Sequence, residues 1–346
     1  MTSKNVRVIL GACLLCLLPQ ANPLRAADTP APVAAQPAAA PAAVLPPLPA
    51  PLGVPQPGPV TAGPYAPQPI LPGGVVIPLF PPGSPYLNAK RVAEAEVYHF
   101  WEPTQLGYIV NIHNPSIEFH PGNGALNTGA VIILAAGGGH KTLNVGPEGA
   151  DFVPFLSNYG INSVILRNRL RSDGYEPRTD GVNDALQAIK LVRAHAAEWH
   201  LDPNKIGIMG FSAGAELAAA AAMQWTAFDQ KNNVPENPLA GIPSRPDFTG
   251  IIYPGPSPFA RGASPAIPRD EPPAFITCAG WGDRGHAVWA NELFTALLND
   301  GVPNVEMHIY ARGHHPGDKV GPDEPPSTGG LSDRGFIAYE IGRAHV

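Results

Sequence analysis

Gly210-Phe211-Ser212-Ala213-Gly214 is the segment of this chain whose residue types and spacing most directly suggest chemistry. A serine hydroxyl is a weak nucleophile at neutral pH. It becomes useful only where the backbone presents it, a base takes its proton and donors hold the negative oxygen that develops on the attacked carbonyl. The apolar run at 206–209 precedes the serine and an Ala-rich stretch at 213–223 follows it, so Ser212 is expected at a sharp strand-to-helix turn. Flanking glycines permit the bend and let the helix pack close, while the helix N-terminus contributes free amides and a positive dipole end. The pentapeptide alone is weak evidence in a chain with 37 Gly; its setting between strand and helix gives it weight.

Each accessory of a nucleophilic serine has a candidate. After the apolar run at 130–136 comes Gly137-Gly138-Gly139-His140, whose amides can approach an oxyanion because no side chains block them. With the amide of Ala213, the amides of Gly138 and Gly139 are the expected oxyanion hole. The phosphate-loop pattern G-x-x-x-x-G-K is absent. For the base, His195 and His200 lie on or just after a helical stretch, and His99, His113 and His120 precede the first core strand. His314 and His315 follow the last strand, where the final member of a chain-ordered Ser, acid, His set falls, and position alone leaves both open. The acid belongs after the strand before that one: Asp283 is the carboxylate in 279–286, and Asp247, Asp270, Glu271 and Asp300 are placed less well.

The elements that must position these residues read as an α/β architecture, a mostly parallel sheet with helices on both faces. Short Val- and Ile-rich runs predict strands at 130–136, 162–166, 205–209, 248–253, 274–278 and 305–310. Helices are expected at 149–158, 180–199, 213–223, 287–299 and 333–343. In the longest, Ala185, Ile189, Val192 and Ala196 make one apolar stripe for the sheet.

Residues 90–346 carry 19 basic and 27 acidic side chains and are long enough for one catalytic domain; the acidic balance speaks against a nucleic-acid surface. Between 29 and 89 fall 19 of the 44 prolines and no Asp, Glu, Lys or Arg, so 28–89 is expected to be a disordered, unpacked Pro/Ala/Gly-rich linker. Residues 1–27 have the basic start, short apolar middle and small-residue end of a secretory signal, and the apolar run is too short to span a bilayer. The mature chain is expected to be secreted or periplasmic, without a transmembrane helix. Leu10-Gly11-Ala12-Cys13 offers the alternative of a lipid anchor at Cys13. Cys278 is then the one mature cysteine, expected as a buried hydrophobe.

With these residues in view, the chain resembles α/β-hydrolase esterases of the branch that includes xylan acetylesterases and related carbohydrate esterases. The resemblance runs from about Asn114 onward through Asn114-Pro115, Gly137-Gly138-Gly139-His140, 167–170, 202–207 leading into the serine pentapeptide, Asp247-Phe248, Tyr253-Pro254 and Gly313-His314-His315. It implies Ser212 as nucleophile, Asp283 as acid and His315 rather than His314 as base. It also implies hydrolysis of carboxylic esters, of short acyl groups such as acetyl on carbohydrate, through an acyl-enzyme and without metal or other cofactor. A broad-specificity carboxylesterase or polyesterase is the alternative. The chain departs from the family pattern at Glu216, where Gly-Gly-His often follows Ser-Ala, at His140, where an aromatic commonly follows the glycines, and at Pro316, where glycine often stands. The changes at His140 and Pro316 border the implied pocket and leave the acyl and alcohol preference open.

Overall fold

The computed structural model describes residues 63–315, apart from 103 and 104. The expected secretory signal, Cys13, the first part of the linker, Pro316 and the helix expected over 333–343 lie outside the described residues. In chain order the elements are β1 (Val75–Pro78), β2 (Val97–Glu102), β3 (Gln105–Val110), β4 (Ser116–His120), β5 (Val131–Ala135), α1 (Phe152–Asn158), β6 (Asn162–Arg167), α2 (Val182–Ala194), β7 (Ile206–Phe211), α3 (Ala213–Asn232), β8 (Phe248–Ile252), β9 (Ala274–Trp281), α4 (Arg284–Asn299) and β10 (Val305–Arg312).

Eight strands form one sheet in the order β1-β4-β6-β5-β7-β8-β9-β10, while β2 and β3 pair separately. From β6 to β10 every pairing is parallel; β4 and β1 join antiparallel at one end. Burial on both faces explains why β5 reads as a continuous apolar run. All six expected strands are present. The stripe Ala185, Ile189, Val192 and Ala196 is buried, although α2 ends before the last of these. Helix α3 runs past its expected end because Phe228 and Asn232, four apart, keep one face buried. No described helix is long and apolar enough to cross a membrane.

The expected linker requires a correction over its described part: residues 63–89 belong to the folded body. Tyr65, Ile70, Leu79 and Phe80 are buried, and β1 pairs with β4. Prolines hold the segment extended, and these interspersed large apolar side chains supply the burial that a Pro/Ala/Gly spacer would lack.

A buried charge cluster fastens this segment. The Glu118 carboxylate, on β4, accepts from the amides of Ile70 and Leu71 at 2.7–2.9 Å and also pairs with Arg167. Arg167 reaches Glu96 at 3.3 Å and donates to the Gln68 carbonyl at 2.7 Å. All three charged side chains are essentially inaccessible. Arg167→Met is therefore expected to cost about 3–5 kcal/mol, because it leaves Glu96 and Glu118 buried without their cation. Denaturant unfolding checks this, and a loss below about 1 kcal/mol would show that the cluster does not hold the segment.

Candidate active site

The turn from β7 to α3 carries Ser212 with φ 51° and ψ −115°, a conformation that an L-residue adopts only under constraint. The constraint comes from both sides. The Ser212 amide donates to the Ile252 carbonyl at 3.0 Å, and its own carbonyl accepts from the amides of Ala215 and Gly255 at 3.0 and 3.3 Å. Helix α3 can sit this close because position 214 is glycine; a Cβ there would fall 1.9 Å from the Ala135 carbonyl oxygen.

Ser212 Oγ lies 2.9 Å from His315 Nε2, and His315 Nδ1 lies 3.0 Å from Asp283 Oδ2. Asp283 follows β9 and begins α4; His315 follows β10, which is parallel to β9, so both arrive at the same end of the sheet as Ser212. Burial works against charge on Asp283, but hydrogen bonds from His286 and His315 outweigh it and hold the carboxyl at about 2. Of the adjacent histidines, His315 reaches the serine while the His314 ring packs on Gly282, where a Cβ would meet it at 2.9 Å. Cys278, on β9, is buried, and burial pushes its thiol up to about 12.

Three contributors have no assigned role in the motifs. His286 donates to the second oxygen of Asp283, and its ring stacks on that of His315, with centroids 3.7 Å apart and planes 8° from parallel. One carboxylate thus serves two imidazoles. Asp283, His286 and His315 can bring ligand atoms within 4.8 Å of one another. Both Nδ1 atoms, however, already hydrogen-bond to the two Asp283 oxygens, so the group reads as one carboxylate acceptor shared by two imidazole donors. The signal for His286 was its spacing of three from Asp283 at a helix start.

Glu148 and Tyr253 are the other two. Glu148 accepts from the Gly137 amide at 2.7 Å and from the Tyr253 hydroxyl at 2.8 Å, and the Tyr253 ring meets His315 edge-on at 5.2 Å. A buried carboxyl therefore links the glycine loop to the histidine's aromatic support. Beyond it, Gly138 has φ +121°, and a Cβ would fall 2.2 Å from the Thr142 carbonyl oxygen. Among the described residues none accepts a hydrogen bond from the amides of Gly138 or Gly139. Ala213 is the first residue of α3, where a helical amide has no intrahelical partner.

Burial raises the Glu148 carboxyl to about 7 against its two hydrogen bonds. The native state then keeps a proton that the unfolded chain releases above about pH 4.5. This contribution to stability is complete below that pH, declines as the pH rises towards about 7 and amounts to about 3 kcal/mol. Glu148→Gln, neutral throughout, is expected to remove this slope. Parallel unfolding curves for wild type and variant across pH 4.5–7.5 would contradict the assignment.

Residues 122–241 match the BD-FAE family model. That stretch includes Gly138, Gly139 and Ser212 but ends before Asp283 and His315. Over 127 residues the chain is 30% identical to an acetylxylan esterase of Xylanibacter ruminicola, covering 37% of this chain and 23% of that protein. Over 174 residues it is 25% identical to endo-1,4-beta-xylanase B of Butyrivibrio fibrisolvens, covering 50% of this chain and 26% of that protein. The chain thus spans about a quarter of the length of these curated relatives. The crystal structure of an acetyl ester-xyloside bifunctional hydrolase from Caldicellulosiruptor lactoaceticus superposes with a TM-score of 0.53 at 24% identity, covering 72% of this chain and 89% of that one.

Proposed function

We propose that this chain, which has the α/β-hydrolase fold and resembles the acetylxylan esterases, is a serine esterase that hydrolyses carboxylic esters through an acyl-enzyme. The observation that carries the reading is the hydrogen-bonded series Ser212–His315–Asp283, at 2.9 and 3.0 Å.

His315, oriented by Asp283, takes the Ser212 proton as Oγ attacks the ester carbonyl. The amides of Gly138, Gly139 and Ala213 receive the negative oxygen. The imidazolium returns its proton to the departing alcohol, and water repeats the cycle on the acyl-serine to release the acid. All of these bond changes are met by the chain's own groups and water.

Short acyl groups, acetyl on carbohydrate above all, are the proposed substrates. The named activity of the acetylxylan esterase relative supports this, as does a cavity of about 260 Å³ beside the site that mixes charged and apolar walls. Export fits a polysaccharide substrate, and residues 1–27 are read as the leader that directs it.

Labelling with a serine-directed fluorophosphonate, followed by a panel of nitrophenyl acetate, acetylated xylosides, longer acyl esters and an anilide, tests the reading. Labelling at Ser212 with acetate release is expected. Absence of labelling, or cleavage of the anilide in preference to esters, would overturn it. Preference for long acyl chains would replace carbohydrate esters with the broad carboxylesterase alternative.

A further inference from the structure

Two of the departures from the esterase pattern, His140 and Glu216, meet in space. His140 Nε2 lies 3.3 Å from Glu216 Oε2. The His140 backbone is left-handed, with φ 59°, and its carbonyl accepts from the amides of Arg171 and Ser172 at 2.9 and 3.3 Å, so the turn is fixed from outside while the side chain is 7% exposed. Glu216 is one turn along α3 from Ser212, and its amide donates to the Ser212 carbonyl at 3.3 Å. Its Oε1 lies over Gly255, where a Cβ would fall 2.1 Å away, and no described residue donates a hydrogen bond to that oxygen. The two departures are therefore one contact, an imidazole set against a carboxylate.

The pair faces the cavity of about 260 Å³, whose other polar walls include Arg178, Gln224 and Ser257 and whose apolar floor includes Leu217. Three chain segments that surround the nucleophile continue into these walls: the residue after Gly139, the first turn of α3 and the stretch after Gly255. An alkyl chain entering this cavity would strip water from Glu216 and Arg178 without replacing its hydrogen bonds, an unfavourable exchange. A pyranose ring offers hydroxyls at its edge and C–H groups on its face, matching both kinds of wall.

We infer that the His140–Glu216 pair is the specificity determinant for the hydroxylated alcohol part of the ester, with Glu216 accepting from sugar hydroxyls and His140 holding the carboxylate in place. This inference rests on the esterase reading and assigns the recognition of the sugar to named residues.

The test compares kcat/KM for an acetylated xyloside with kcat/KM for nitrophenyl acetate, which has no hydroxyls to read. In Glu216→Leu the ratio of the two is expected to fall about 10- to 100-fold, the range for loss of one hydrogen bond to a charged group. The change should lie mainly in KM for the xyloside. His140→Phe is expected to move the ratio in the same direction, and Glu216→Gln, which keeps size and one acceptor, to fall between wild type and Glu216→Leu. An unchanged or raised ratio in His140→Phe and Glu216→Gln, both verified as folded by thermal melting, overturns the inference while leaving the esterase reading intact. A wild-type protein that hydrolyses neither substrate overturns both.

Discussion

Ser212→Ala is expected to lower kcat on nitrophenyl acetate by about 10^4- to 10^6-fold and to abolish fluorophosphonate labelling. The size of the effect follows from how triad members act. Once the nucleophile is gone, the base and acid have no oxygen to activate, and only binding and oxyanion donors remain to assist attack by water. The fold should not notice the change. Ser212 is held by backbone hydrogen bonds from β8 and the start of α3, and its side chain bonds to His315. Alanine tolerates φ 51° no worse than serine, so the thermal midpoint should stay within a few degrees. A variant that keeps more than about one per cent of wild-type kcat would transfer the nucleophile's role elsewhere.

Asp283→Asn should behave differently here from the same change in a triad with one histidine, where it lowers kcat by about 10^4-fold because the amide imposes the wrong imidazole tautomer. Here the amide has two rings to serve. Its nitrogen can donate to His286 Nδ1, leaving its oxygen to accept from His315 Nδ1–H and preserve the productive tautomer. The charge is lost but the orientation is kept, so a loss of about 10^2- to 10^3-fold is expected. Combining Asp283→Asn with His286→Phe retains a stacked ring but removes the acceptor, and the loss should deepen to about 10^4-fold, beyond the product of the single changes. Stopped-time assays on the four proteins of this cycle decide the matter. A double variant no worse than that product would mean that His286 does not direct the amide.

The residues that carry short-range signals were legible in the sequence. The serine pentapeptide, the strands from β5 to β10 and the loops after β9 and β10 each announce themselves locally, through short apolar runs and the turn residues that follow them. Elements held by buried charge did not. β4 contains Glu118 and His120, which break an apolar reading, and it is a strand because Arg167 and two amides from the Pro-rich segment neutralise and occupy Glu118. Glu148 lay one residue ahead of the expected helix, and its partners, Gly137 and Tyr253, are remote in sequence. His286 was hidden by a boundary: α4 begins at Arg284, three residues earlier than its apolar pattern suggests, and His286 lies in that added first turn, with its ring on His315.

The antiparallel end of the sheet bears on where the folded body can be cut. β1 is short and closes on Pro78, which makes it a poor template for further pairing and a guard for the strand behind it. A chain begun at residue 90 would discard that guard, leave the rim of β4 open to pairing with other molecules, and strand Glu118 beside Arg167 without its two amide donors. Aggregation during expression, rather than weaker catalysis, is the failure such a truncation invites.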